Sequence, residues 1–371
     1  MTTSAPRVLM LSKACIVGIY QLKLEAIARL GVDLLTLVPP SWKDERGETL
    51  LERAYTAGYQ LQPIPIRLNG SFHLHHYPTL GEWIQRFRPH IVHIDEEPYN
   101  LATWQALHLA RRAGAKTLFF SWQNIDRRYP PPFSWGERWT LRQVDYALAG
   151  TESAAQVWRA KGYHKRMAVV PQFGVDPQLF RAPDSKPDDT PFTIGYVGRL
   201  VEEKGVHLLL QAAACLSGMD WRMRLVGSGP ARTELESLAE QLGIAHQVEW
   251  VEWVASVDMP AQYQQLDALV IPSLTRPNWK EQFGRVIIEA MASGVPVIGS
   301  DSGAIPDIVG EAGLIVPEGD VAALAAALER LRGEALLRKR LMTAGRARVE
   351  ARFTHAQVAA DTVRVYHELL G

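Results

Sequence analysis

Two glutamates, Glu281 and Glu289, stand eight positions apart around Gly284 in the stretch "KEQFGRVIIEAMASGVPVIGSDSGAIPDIV", residues 280 to 309. If residues 281 to 289 formed one continuous helix, the two carboxylates would lie about 12 Å apart along its axis. A pair that cuts one glycosidic bond needs only about 5 to 9.5 Å, so an acid and a base flanking a single bond is a poor reading of this spacing. A better one is that the two acids hold opposite ends of an elongated ligand. Gly284 opens the apolar helical pattern, and a helix N-terminus without a Cβ lets an anion approach unpaired backbone N–H groups. A diphosphate lying between the two acids accounts for the spacing.

A second cluster supplies cations. "GYVGRLVEEKG" (195 to 205) follows an apolar run and turns into a helical pattern, which places Arg199 and Lys204 on the loop at a strand's carboxyl end. Two cations there can neutralise phosphate oxygens and the charge developing on a departing diphosphate. The loop "VGSGPAR" (226 to 232) ends another strand with two glycines but lacks the third glycine of G-x-G-x-x-G, so a nicotinamide dinucleotide site is weakly supported. No G-x-x-x-x-G-K-[ST] occurs, which removes the usual P-loop. As isolated residues the two glutamates would be surface charges, and Arg199 and Lys204 a solvated helix start beside Glu202 and Glu203. Together with Gly284 they read as a binding site.

These residues need a scaffold that brings strand ends together. Short apolar runs alternate with helical patterns along the whole chain, the signature of α/β domains with parallel sheets. "RVLMLS" (7 to 12) predicts a strand, "QLKLEAIARLG" (21 to 31) a helix and "VDLLTLVPP" (32 to 40) the next strand; further strands follow at 90 to 95 and 115 to 121. Residues 171 to 191, with five prolines, have linker composition. A second series then predicts strands at 192–198, 222–227, 248–253 and 268–273, helices at 230–242 and near 258–266, a helix after Gly284, and helices filling 320 to 370. The expected architecture is two doubly wound, Rossmann-like domains facing a central cleft. Their bounds are residues 1–172, with a C-terminal helix (355–371) packing back on them, and 190–354. Ligands bind at the carboxyl ends of such sheets.

Composition bounds the partners. The 371 residues are 47% hydrophobic and 22% charged, enough for two cores, and Lys+Arg and Asp+Glu both total 40, so no overall field favours nucleic acid. Cys15 and Cys215 form no C-x-x-C and fit a reducing compartment, making cytoplasm the expected location. No run approaches the roughly 18 apolar residues of a membrane helix.

The E-x7-E stretch, the "GRLVEEKG" loop, "LVGSGPAR" and "PQFGVDPQLF" (171 to 180), in that set, resemble a family-4 retaining glycosyltransferase of GT-B fold. The likeness is strong from about 171 to 320 and weaker before it. It implies that Glu281 hydrogen-bonds hydroxyls of a donor sugar, that the backbone around Phe283 and Gly284 meets sugar and diphosphate, and that Glu289 binds the ribose. Arg199 and Lys204 would hold the diphosphate and stabilise the leaving group without a divalent metal. This fits the missing D-x-D, since the paired acids Asp188 and Asp189 fall in the linker and read as a solvated turn. The donor set is completed by Gly198, Gly227, Arg285 and Val254, the last within a segment (250 to 256) facing the base. The implied reaction moves a hexosyl group from a nucleoside diphosphate sugar to a hydroxyl acceptor with retention, the donor phosphate taking the acceptor's proton. An epimerase or phosphorylase on the same scaffold, or a nucleotide-sugar-binding protein without turnover, are the alternatives.

The first half departs from the family pattern. Its loop after the first strand, "SKACIVGIYQ", offers only Gly18 as a phosphate contact, and "FFSWQNID" has Gln123 and Asn124 where a histidine is common. The strand ending in "HIVHIDEEP" puts His93, Asp95, Glu96 and Glu97 where an acceptor hydroxyl could approach. His93, Glu96 and Asn124 are the expected acceptor contacts, with a half-buried structural role for His93 left open. "HLHH" (73 to 76) lacks a matching metal-ligand set. Trp135 and Trp139, each beside an arginine at the same spacing, predict an aromatic stripe that packs in the core in preference to resting on a membrane or a lipid-linked acceptor.

Overall fold

The computed structural model describes residues 5–44, 47–183, 191–218, 220–252, 254–256 and 258–371. Asp188 and Asp189 lie outside the described residues. The chain forms two compact units: residues up to Gly174 together with His355–Gly371, and Val175–Thr354.

The first unit holds strands β1 (Arg7–Leu11), β2 (Asp33–Val38), β3 (Ser41–Asp44), β4 (Gly47–Leu50), β5 (Gln60–Pro63), β6 (Ile91–Ile94), β7 (Lys116–Ser121), β8 (Tyr146–Ala149) and β9 (Arg166–Val169). Its helices are α1 (Leu22–Arg29), α2 (Leu80–Phe87), α3 (Leu101–Arg112), α4 (Phe133–Gln143) and α5 (Glu152–Ala160). The main sheet runs β5-β2-β1-β6-β7-β8-β9, all parallel, while β3 and β4 pair as a separate antiparallel hairpin. Because both faces are covered, β1 reads as an unbroken apolar run. Val8 and Met10 face one core with Leu24 and Ile27 of α1, and Leu9 and Leu11 face another with Ala102 and Ala106 of α3. The expectation missed β5, because "QLQP" has polar residues at alternate positions and ends in a proline that only a strand's edge tolerates.

The second unit holds β10 (Phe192–Val197), β11 (Trp221–Val226), β12 (Val248–Val251), β13 (Ala268–Ile271), β14 (Val297–Ser300) and β15 (Leu314–Val316). Its helices are α6 (Val206–Ala214), α7 (Arg232–Gln241), α8 (Met259–Tyr263), α9 (Arg285–Ala292), α10 (Ile305–Val309), α11 (Val321–Gly333) and α12 (Ala335–Arg352). The parallel order is β12-β11-β10-β13-β14-β15. Helix α13 (His355–Leu370) belongs to the first unit, where Val358, Val363 and Tyr366 join the core beside Val8 and Met10. Both units are therefore doubly wound α/β sheets, as the alternating pattern predicts. In each, strand order reverses next to the first strand, between β1 and β6 and between β10 and β13. Such reversals leave a crevice at the strands' carboxyl ends. Among the described residues, no helix is long and apolar enough to cross a membrane.

Candidate active site

In the second unit the loops after β10, β11 and β13 are drawn together by glycines. A Cβ on Gly227 would stand 1.9 Å from the Gly198 carbonyl oxygen, and one on Gly205, whose φ is +67°, would stand 1.9 Å from the Pro272 carbonyl oxygen. No other residue type permits these approaches without moving backbone. The Tyr196 hydroxyl donates to the Arg199 carbonyl at 2.7 Å and pins the loop that carries Arg199. Lys204 ends a single 3-10 turn, Glu202–Lys204, and extends its Nζ to 2.5 Å from Glu281 Oε2 and 4.9 Å from the Trp279 ring centroid. The Ser273 hydroxyl lies 3.4 Å from the same carboxylate oxygen.

Glu281 sits in the loop before α9, because the helix begins only at Arg285. The spacing argument for one continuous helix therefore does not set the distance between the two acids. Gly284 caps α9 with φ +69° and ψ 61°, the left-handed conformation that favours glycine. The Glu281 backbone is fixed from the other side: Ala304 N–H donates to its carbonyl at 3.0 Å, and Gly303, at φ +57°, passes so close that a Cβ would lie 2.3 Å from that oxygen. Glu289 lies on the buried side of α9, where its Oε2 accepts from the Tyr263 hydroxyl at 2.7 Å and its Oε1 meets Arg285 Nε at 2.8 Å. Burial pushes its carboxyl above the usual range, with Arg285 and Tyr263 opposing. Both acids are buried, Glu281 at 8% and Glu289 at 5% exposure, so neither is a solvated surface charge. Phe283 is buried with its ring centroid 6.0 Å from that of Phe353, and Val254 is half-buried just past β12.

In the first unit the acids after β6 separate into different environments. Asp95 accepts from the Ser12 hydroxyl at 2.5 Å and from Gln172 Nε2 at 2.9 Å. Glu96 is fully enclosed, ion-paired with Lys13 and 3.6 Å from His75 Nε2. Burial alone would raise its carboxyl, yet Lys13 and His75 hold it down to about 2. Lys13 in turn lies 5.0 Å from the Phe72 ring centroid and 5.5 Å from that of Trp42. Glu96 is thus spent on fastening the loop after β1 to the end of β6, and the expectation of an acceptor contact there needs correction.

Other expected positions also fall differently. His93 lies inside β6, 1% exposed, with Nδ1 2.7 Å from the Tyr366 hydroxyl of α13. Burial, with Lys23 nearby, holds its pKa well below the ordinary value, and the ring is a core group instead of an acceptor contact. The Gly18 amide donates to Glu52 Oε2 at 2.6 Å, so a carboxylate of the chain itself occupies the place expected for phosphate. Asn124 is buried just past β7. The "HLHH" histidines disperse: His75 goes to Glu96, while His73 sits among Tyr99, Tyr129 and Phe133, with centroids 5.0 to 5.6 Å away. In α4, Trp139 packs on the core while Trp135 is 61% exposed, so the expected aromatic stripe is split.

Sequence reasoning missed Tyr263, Gly303, Trp279 and Lys13. Only Lys13, the single cation in an apolar loop, gave a usable signal. A depression of about 830 Å³ lined by Thr193, Arg222, His246, Val248 and Gln264 opens at the amino ends of β10, β11 and β12, the opposite end of the sheet from Arg199 and Lys204. Crevices formed by strand reversal occur at carboxyl ends, so this depression is separate from the candidate site.

Residues 21–172 match the family described as "Glycosyl transferase 4-like domain", and residues 180–348 match "Glycosyl transferases group 1". A 2-deoxystreptamine glucosyltransferase of Streptomyces kanamyceticus is 29% identical over 262 residues, 67% of this chain and 66% of that one. The capsular polysaccharide biosynthesis glycosyltransferase CapM of Staphylococcus aureus is 34% identical over 182 residues, 48% of this chain and 47% of that one. The matches thus span about half to two thirds of these relatives' own lengths. A solved glycosyltransferase from Rickettsia africae has the same fold with TM-score 0.77 at 18% identity, covering 99% of each chain. Anabaena HepE, solved with UDP-glucose, gives TM-score 0.66 at 19% identity, covering 98% of this chain and 99% of that one.

Proposed function

Because this chain belongs to the family-4 glycosyltransferases of GT-B fold, we propose that it moves a hexosyl group from a nucleoside diphosphate sugar to a hydroxyl acceptor with retention of configuration and without a divalent metal. The observation that carries this reading is the Lys204–Glu281 contact at 2.5 Å, set at the carboxyl ends of the second sheet before the Gly284 cap of α9. The diphosphate rests at the first turn of α9, where open N–H groups and the helix dipole favour an anion. Arg199 and Lys204 neutralise charge on the leaving group as the bond from the sugar's anomeric carbon to phosphate oxygen breaks. Glu281, oriented by Lys204, receives sugar hydroxyls, and Glu289 keeps lone pairs for the ribose beyond those given to Tyr263 and Arg285. The acceptor's proton passes to the donor phosphate oxygen while the acceptor oxygen bonds to the same face of the sugar. The nucleotide-sugar complexes of structural neighbours such as HepE support the choice of donor class.

A thermal-shift panel of UDP-, GDP- and ADP-sugars tests the donor. A ligand at about 100 times its dissociation constant stabilises the protein by about 2.7 kcal/mol. Product stereochemistry by NMR, with and without a chelator, tests retention and metal independence. Inverted product, or turnover abolished by chelation and restored by a divalent ion, removes those parts of the reading. A flat response to every donor, with no transfer, removes the whole.

A further inference from the structure

The two adjacent glutamates of "HIDEEP" have opposite fates. Glu96 is closed off on Lys13 and His75, whereas Glu97 is half-buried at the carboxyl end of β6, beside the reversal point of the first sheet. Glu97 is also held rigidly. Its Oε2 accepts from the Ser121 hydroxyl at 2.5 Å and its Oε1 from the Trp122 N–H at 2.9 Å, both at the end of β7. Its carbonyl accepts from the Asn100 N–H at 3.0 Å and the Thr103 hydroxyl at 2.7 Å at the start of α3. Each carboxylate oxygen retains a lone pair for a ligand. Next to Ser121, Gln123 is 5% exposed and its Oε1 has no hydrogen-bond partner among the described residues. A buried acceptor left unpaired is costly unless a ligand hydroxyl or ammonium completes it.

We propose that Glu97 is the acceptor anchor of this chain, receiving a hydroxyl or ammonium group of an unphosphorylated sugar or cyclitol ring, with Gln123 Oε1 taking a second such group. The inference rests on the glycosyl-transfer reading above and adds the acceptor class. Charge decides that class. Lys13 is consumed by Glu96, and Lys23 on α1 faces His93 and Cys15 on the core side. The groups acting on Glu97 are Ser121 and Trp122 from β7 and its following loop, Lys13 from the loop after β1, Glu96, and the phenols of Tyr99 and Tyr129. Among the described residues Glu97 therefore has no ion pair of its own, with Lys13 acting on it only from its pairing with Glu96, and such a carboxylate attracts an amine and repels a phosphate. Tyr129, half-buried and with its ring centroid 4.5 Å from that of the buried Tyr99, adds an aromatic side chain near it. Burial pushes the Glu97 carboxyl up to about 7, only partly offset by Ser121, Trp122 and Lys13, so its accepting form grows as pH rises through neutrality.

The test uses the full chain and three probes: 2-deoxystreptamine, methyl α-D-glucopyranoside and glucose 6-phosphate. Acceptor binding is titrated calorimetrically without donor, and transfer is followed where a donor is turned over. Glu97→Gln is expected to weaken binding of the first two probes by about tenfold or more, the loss of a bond to a charged group. Donor-induced thermal shift stays within about twofold in apparent affinity, as an acceptor-side change leaves donor contacts intact. In the wild type, acceptor affinity rises about tenfold between about pH 6 and about pH 8 while Glu97→Gln stays flat. Glu96→Gln does not reproduce that flattening, which separates an anchor from a residue that merely supports the loop. Binding of glucose 6-phosphate as tight as that of the neutral ring, failure of the first two probes to bind, or an unchanged profile in Glu97→Gln each overturns the proposal. Failure of every donor with acceptor binding intact would strike the transfer reading and leave this one standing.

Discussion

Removing the Lys204 ammonium separates the structural from the chemical role of its ion pair. Glu281 is 8% exposed, and the side chains of Lys204 and Glu281 are 22% and 10% exposed, so the pair is largely withdrawn from water. Breaking a buried pair from one side costs about 3 to 5 kcal/mol, because the remaining charge has lost its compensation. Lys204 is partly wetted and Ser273 still offers a hydroxyl to the same oxygen, so the cost of Lys204→Met falls below that range, at about 2 to 3 kcal/mol. For a domain of this size that is a fall of about 4 to 12 °C in unfolding midpoint. The double variant Lys204→Met with Glu281→Gln removes the orphaned charge as well and is expected to recover most of the loss. Activity does not follow stability: each variant lacks a cation at the leaving group and loses about a hundredfold or more in kcat. Differential scanning calorimetry and initial-rate assays on the wild type and the single and double variants decide the matter. If the single variant melts with the wild type, or the double variant melts as low as the single, Glu281 is not buried against Lys204 as described. If the double variant regains both stability and kcat, the pair has no part in chemistry.

Three further outcomes follow from the same geometry. Tyr263→Phe deletes the 2.7 Å bond to Glu289 and is expected to weaken nucleoside diphosphate binding by about tenfold, read by titration, with little change in affinity for the 2′,3′-dideoxy analogue, which has no ribose hydroxyl to lose. Gly303→Ala places a Cβ about 2.3 Å from the Glu281 carbonyl at φ +57° and should raise the donor KM while costing about 1 to 3 kcal/mol in urea unfolding. Glu96 and Glu97 carry opposite pH slopes. Glu96, lowered from 4.5 to about 2, contributes about 3 kcal/mol that is present above pH 4.5 and lost as pH falls toward 2, whereas Glu97, raised from 4.5 to about 7, makes the folded state less stable as pH rises between those values. Stability against pH should therefore lose its acid limb in Glu96→Gln and gain at neutral pH in Glu97→Gln; slopes of the same sign in both would refute the two environments.

The cluster at the carboxyl ends of the second sheet was legible because its determinants are local. Gly284 and Glu289 fall within one strand-loop-helix passage, and Arg199, Gly227 and Lys204 lie within a few residues of strand ends that apolar runs mark plainly. What the pattern could not supply was the start of α9. An apolar period of 3.6 continues naturally back through Phe283, and only the left-handed backbone at Gly284, φ +69°, breaks it and leaves Glu281 in the loop. Tyr263 and Gly303 escaped for a related reason: each acts on a glutamate 22 or more positions away in sequence, and nothing in "AQYQQLD" or "SDSGAIPD" marks the contact.

At the carboxyl ends of β1 and β6 the determinants are distant, and there the sequence misleads. Glu96 and Glu97 are the same residue type in adjacent positions, and alternation along an extended chain says only that they point to opposite sides. Which side is closed depends on Lys13, 83 positions earlier and brought alongside by the pairing of β1 with β6, and on His75, delivered by a loop with no periodicity of its own. Gly18 shows the same dependence, since its amide is taken by Glu52 at a separation of 34 residues. Once Lys13 and His75 have neutralised Glu96, the neighbouring carboxylate of Glu97 keeps accepting capacity beyond Ser121 and Trp122, as the proposed anchor requires. The acceptor class proposed for Glu97 is thus written less in that residue than in the pairing of Lys13 with Glu96 beside it.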